Sequence, residues 1–235
     1  MKILLATQSS QGLVAIRELF AGGIAPGNIH VALCAKDGND SLLDFITYNK
    51  ISFSFHESGI EFKDWLMSLE KSHDVLLSIS WKFRFCLEVI EYFSGKAINF
   101  HPGILPNYRG CFSTPWSIIN DEKYVGFTYH YISENFDEGN ILYQDKIEIR
   151  PKDTAHSLNY RLFQLGLSKL IDVIGLIGQE GHSQVEGGDY YPNRLPFGGV
   201  LDEKWSNRQK NLFMRAMYFP PHESYFHLFD ESSEN

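Results

Sequence analysis

In the first hundred residues, five short apolar runs alternate with four segments of helical spacing, and few folds accommodate that rhythm. KILLA (2–6) is a continuous apolar run, TQSSQG turns polar, and LVAIRELFAGG carries helical spacing to a glycine stop. The pattern recurs with NIHVALCA (28–35) before SLLDFITYNK, and with ISFSFH (51–56) before IEFKDWLMSLEKS (60–72). It closes with DVLLSIS (74–80), FCLEVIEYF and KAINF (96–100). Strands separated by single helices predict an α/β protein, with a mostly parallel sheet and helices on both of its faces. Ligands of such sheets lie at the carboxyl ends of the strands.

Beyond residue 100, YVGFTYHYI (124–132) and YQDKIEI (143–149) predict two later strands, and TAHSLNYRLFQLGLSKLIDVIGLIG (154–178) one long amphipathic helix. The tail is rich in Gly, Pro and Tyr and then forms a helix in NRQKNLFMRAMYFPP that the Pro pair stops. We therefore expect a main domain over 1–183 and a small appendage over 184–235.

Charge and cysteine usage narrow the function. A net charge of −8 without a basic run argues against tRNA or DNA as a partner, because phosphate neutralisation dominates such binding. Cys34, Cys86 and Cys111 are odd in number and contain no CxxC pair, so reduced thiols are expected, not disulfides or a metal site. No window reaches the roughly 18 apolar residues of a membrane span. The opening MKILLATQSS is too short in its apolar part for a secretory signal. A cytoplasmic protein is the expectation.

The stretch INFHPGILPNYRGCFSTPW (98–116) leaves the fifth strand and spends polar residues where a connector needs none. Asn99 and His101 are i and i+2, so in an extended segment they share a face. An imidazole exchanges protons near neutral pH, and an amide can donate to an oxygen that gains charge in a tetrahedral intermediate. Asp137, in the loop after the sixth strand, could orient or charge that imidazole. Together they suit acyl-type transfer to a nucleophile that must lose a proton. By spacing alone, Asn-x-His-Pro and Asp-Glu-Gly are equally good turn chemistry.

These motifs resemble those of the folate-dependent formyltransferases, which include glycinamide ribonucleotide, methionyl-tRNA and nucleotide-sugar enzymes. The shared elements are the strand-end Asn99, His101 and Pro102, then Leu105, Pro106, Tyr108, Arg109 and Gly110, then Asp137 and Gly139. The likeness runs over about residues 1–180 and implies a Rossmann-like fold. It also implies 10-formyltetrahydrofolate as donor and a primary amine as acceptor, with no metal. Asn99 and His101 would hold the oxyanion, and His101 or Asp137 would handle the amine proton. Gly103 stands where the family usually has Ser, a change expected to affect the loop and not the chemistry. The pterin would lie between 78–85 and 133–140, giving Ser80, Trp81, Lys82, Phe83, Phe85, Asn135 and Asp137 as folate contacts. Trp81, Phe83 and Phe85 either add stacking surface there or pack the core.

The tail, YYPNRLPFGGVLDEKW with RAMYFPPHESY, is similar to the nucleotide-sugar branch. The methionyl-tRNA branch has a larger C-terminal domain and basic surfaces, and the glycinamide ribonucleotide branch lacks such a tail. The formyl-folate hydrolase branch normally carries an extra N-terminal domain, which is not expected here with a first strand read from Lys2. A non-catalytic binder of the same fold has no use for all of Asn99, His101 and Asp137. The resemblance thus implies an amine on a nucleotide-linked dideoxy sugar, foremost dTDP-4-amino-4,6-dideoxyglucose, and a homodimer serving lipopolysaccharide O-antigen construction. Ser9, Ser10 and Gln11, in the loop after the first strand, are candidate phosphate contacts. Pro102, Tyr108, Arg109, Gly110, Tyr191, Arg194, Arg215 and Tyr218 are further acceptor candidates, beside Tyr190.

Overall fold

The computed structural model describes residues 1–8, 10–34 and 40–219. Ser9 and the Pro pair at 220–221, both used in the sequence reading, lie outside the described residues.

The expected strand–helix rhythm is present. β1 (Ile3–Thr7), α1 (Ser10–Ala21), β2 (Ile29–Leu33), α2 (Asp40–Tyr48), β3 (Ser52–Phe55), α3 (Gly59–Ser68), β4 (Val75–Ile79), α4 (Leu87–Tyr92) and β5 (Ala97–His101) follow in order. After them come a two-residue β6 (Arg109–Gly110), α5 (Ser113–Ile119), β7 (Tyr124–Tyr131), β8 (Ile141–Glu148), α6 (Ala155–Ser168), α7 (Leu170–Ile174), β9 (Tyr190–Tyr191) and α8 (Asn207–Met217). Among the described residues the sheet order is β3-β2-β1-β4-β5-β7-β8, with β6 and β9 pairing apart.

Burial explains the order. β1 and β4 are buried at every position, as strands covered on both faces must be, which is why their sequences are unbroken apolar runs. β3 and β8 lie at the ends of the sheet order and are partly exposed. The first five strands pair in parallel, whereas β7 runs antiparallel to β5. Helix caps are written locally: Ser58 accepts from the Glu61 amide at 3.1 Å, and Ser206 with Gln209 forms a reciprocal capping box before α8.

Two details depart from the sequence reading. The long helix expected over 154–178 is broken into α6 and α7 at Lys169. The Gly166 carbonyl, near the end of α6, accepts from the Tyr129 hydroxyl at 2.9 Å and from the Lys169 amide at 3.1 Å, which tightens the turn there. The other departure is α5, a short helix with Pro115 inside its first turn, where proline is tolerated.

Contacts group the chain into two compact units. The first comprises Met1–His101, Thr128–Tyr143 and Leu165–Gln184; the second comprises Pro102–Phe127, Gln144–Gln164 and the described residues from Val185. Among the described residues no helix is long and apolar enough to cross a membrane.

Candidate active site

The first unit brings Asn99, His101 and Asp137 together, although 36 residues separate His101 from Asp137. Strand alternation sends Phe100 to one face of β5, where it packs on Tyr129 with ring centroids 5.1 Å apart. Asn99 and His101 therefore share the other face. His101 is 3% exposed, and its Nδ1 lies 3.5 Å from Asp137 Oδ2. Asp137 itself is 9% exposed and has a left-handed φ of 58°.

The turn that presents Asp137 is held from both sides. An added Cβ on Gly139 would meet the Tyr131 carbonyl oxygen at 1.8 Å, so the turn seats against β7 with no room for a side chain. From the other side the Gln184 amide donates to the carbonyls of Asp137 and Gly139, at 2.7 and 2.8 Å. Gln184 carries no signal in the sequence, since its role exists only once the chain returns to this turn.

A second histidine, His130 of β7, also belongs to the site. It pairs in register with Asn99; its Nε2 lies 3.2 Å from Asn99 Nδ2 and 3.4 Å from Asp137 Oδ1. Asp137 thus stands between two buried imidazoles. These two separations are long for a hydrogen bond and short enough for either ring to exchange a proton with the carboxylate after a small movement. The arrangement can donate N–H groups to a developing oxyanion and pass a proton between imidazole and carboxylate.

The predicted folate contacts occupy different depths. Ser80 takes a left-handed φ of 58° directly after β4. Phe85 is 7% exposed and belongs to the core around Phe62, with Trp81 packed against that cluster and parallel to Phe85 at 6.0 Å. Lys82, Phe83 and Phe85 line an open groove of about 770 Å³, together with Lys63, Arg84 and Glu134. Arg84, which the sequence reading passed over, donates to the Glu134 carbonyl. Asn135 is exposed and donates to Glu138 at 2.9 Å.

Most acceptor candidates lie in the second unit, and several of them are engaged. Arg109 and Gly110 form β6 and pair with Tyr190 and Tyr191. Gly110, with φ 87°, is required there because a Cβ would come within 2.2 Å of the Tyr191 carbonyl oxygen. Tyr191 lies parallel to Tyr108 at 5.4 Å and stacks on Trp116 at 4.9 Å. The Tyr108 hydroxyl donates to Glu122 at 2.8 Å, and burial pushes its pKa far above the usual tyrosine value, so it remains a donor. Arg215 donates to the carbonyls of Asp153 and Arg150. Pro102 follows β5, Arg194 and Tyr218 are exposed, and in the first unit Ser10 and Gln11 open α1. Among the described residues no group of three or more His, Cys, Asp or Glu is placed to hold a metal ion.

A parallel sheet extended by an antiparallel strand carries Asn99 and His101 at the end of β5, with Asp137 brought beside them by the turn after β7, and this is the candidate site. The family model described as formyl transferase matches residues 69–174. The GDP-perosamine N-formyltransferase of Brucella melitensis is 33% identical over 231 residues, covering 94% of this chain and 86% of the relative. This chain belongs to the formyl transferase family, and it is a formyltransferase. Solved structures agree in fold. A 4-N formyltransferase from Francisella tularensis superposes with TM-score 0.75 at 20% identity, covering 98% of this chain and 93% of that one. An N-formyltransferase from Helicobacter canadensis, in complex with folinic acid and dTDP-3-aminofucose, superposes with TM-score 0.76 at 20% identity, over 93% of this chain and 81% of that one.

Proposed function

We propose that the protein moves a formyl group from 10-formyltetrahydrofolate to the amine of a nucleotide-linked amino-dideoxy sugar. The observation that carries this reading is the buried Asp137 set between His101 and His130, beside Asn99, in a chain 33% identical to a sugar N-formyltransferase. The neutral amine attacks the formyl carbon and the carbonyl oxygen becomes an oxyanion. The Asn99 amide and the His101 ring donate to that oxygen. The amine proton leaves through His101 or Asp137. The tetrahedral intermediate then collapses, its carbon–N10 bond breaks, and N10 of the folate takes up a proton, so charge and protons balance. The groove beside Lys63, Lys82 and Arg84 supplies cations suited to the anionic glutamate arm of the folate, with Phe83 against its aryl ring.

The acceptor implied by the likeness of the tail is dTDP-4-amino-4,6-dideoxyglucose. A second reading, GDP-perosamine, is favoured by the name of the relative that covers nearly the whole chain. A cytoplasmic homodimer that prepares sugars for surface polysaccharide such as lipopolysaccharide O-antigen is the setting this function implies. The test is a panel of dTDP-, UDP- and GDP-linked amino sugars, with glycinamide ribonucleotide and methionyl-tRNA as controls, assayed for 10-formyltetrahydrofolate consumption. Turnover confined to amino-sugar nucleotides is expected. Comparable formylation of either control would overturn the assignment.

A further inference from the structure

Three registered positions on neighbouring strands form a directional row under the site. Ser78 of β4 pairs with Asn99 of β5, and Asn99 pairs with His130 of β7, so all three side chains lie on one face of the sheet. Ser78 Oγ is 2.8 Å from Asn99 Oδ1, Asn99 Nδ2 is 3.2 Å from His130 Nε2, and His130 Nδ1 is 2.8 Å from the Tyr131 carbonyl oxygen. Ser78 and His130 are 4% and 2% exposed, so bulk water does not substitute for these bonds.

The sense of the row follows from its last member. A backbone carbonyl can only accept, so Nδ1 of His130 carries the hydrogen. Of the two polar neighbours of Nε2, the Asn99 amide is the nearer at 3.2 Å, with Asp137 Oδ1 at 3.4 Å, and with the hydrogen on Nδ1 the nitrogen accepts from that amide. Asn99 must turn its NH₂ edge to His130 and its oxygen to Ser78, whose hydroxyl donates. The flipped amide would set its oxygen against the lone pair of Nε2.

We propose that Ser78 is a positioning residue for formyl transfer, acting through Asn99 to hold the NH₂ edge of that amide towards the reacting oxygen. The inference rests on the reading of Asn99 as an oxyanion donor. Without the hydroxyl the amide oxygen faces a methyl group, one of its two anchors is gone, and the donor geometry loosens. Ser78 itself touches no reacting atom.

The experiment is a double-mutant cycle with steady-state kinetics, using GDP-perosamine or dTDP-4-amino-4,6-dideoxyglucose, whichever is turned over, and 10-formyltetrahydrofolate. Ser78→Ala should lower kcat about tenfold, the size of one hydrogen bond at the transition state, with both KM values within about twofold of wild type. Ser78→Thr should restore most of the rate. Ser78→Cys, nearly the same size but a poorer donor, should fall between the two and carries the test on a chain whose volume is preserved. In the Asn99→Ala background Ser78→Ala should cost nothing further. A kcat for Ser78→Ala within about twofold of wild type, or an equal fold loss in both backgrounds, removes the role of Ser78 and leaves Asn99 standing. Wild-type turnover by Asn99→Ala itself removes both.

Discussion

Replacing Gly139 by alanine adds one methyl group to the turn that carries Asp137. That carbon would lie 1.8 Å from the Tyr131 carbonyl oxygen, where real contacts essentially never fall below 3.0 Å. Tyr131 belongs to β7 and pairs in register with Ile98 of β5, so the strand is the stiffer partner. The turn must therefore shift by roughly 1 Å, which displaces Asp137 from its place 3.5 and 3.4 Å from His101 and His130. Misplacing a reacting group by that much costs on the order of 100-fold in rate. The φ of Gly139 is outside the left-handed range, so the effect is steric and does not come from backbone preference. Steady-state formyl transfer measures it: kcat should fall about 100-fold while circular dichroism stays native. Turnover within about threefold of wild type would refute the claim that the seating of this turn governs catalysis.

Two further outcomes follow from the same geometry. His30 is held neutral, its pKa pushed down to about 4 first by burial and then by His73 and His56, whose own values burial also lowers. The unfolded chain binds these protons more readily, so stability is full above about pH 6.5 and is lost as pH falls toward about 4, by at most about 3 kcal/mol for His30. Urea unfolding of wild type and His30→Gln between pH 7 and 5 checks it, and equal pH slopes would contradict it. His101→Ala should lower kcat by about 10² to 10⁴ with an unchanged melting profile, read by turnover and calorimetry.

The parallel strands were legible because continuous apolar runs between helical segments leave few alternatives. Asn99 and His101 were legible because i and i+2 on a strand share a face, a statement about one segment alone. Ser78 and His130 were not. Alternation tells which face a residue takes but not which strand lies beside it, and His130 reaches Asn99 only because β7 runs antiparallel in one register. Gln184 was hidden for the same reason, being 47 residues from Asp137. The fracture at Lys169 depends on a hydroxyl of β7 bonding the Gly166 carbonyl, which no helical period reveals. The tail names aromatic residues readily, but only the fold shows Tyr191 stacked between Tyr108 and Trp116.

The most direct test of the site is Asp137→Asn, which keeps the shape of the side chain and removes its charge from between His101 and His130. Single-turnover transfer from 10-formyltetrahydrofolate to the amino-sugar nucleotide should slow by on the order of 100-fold or more, with binding of both substrates retained. A single-turnover rate equal to that of the wild type would contradict the assignment of Asp137, and with it the proton path proposed through this cluster.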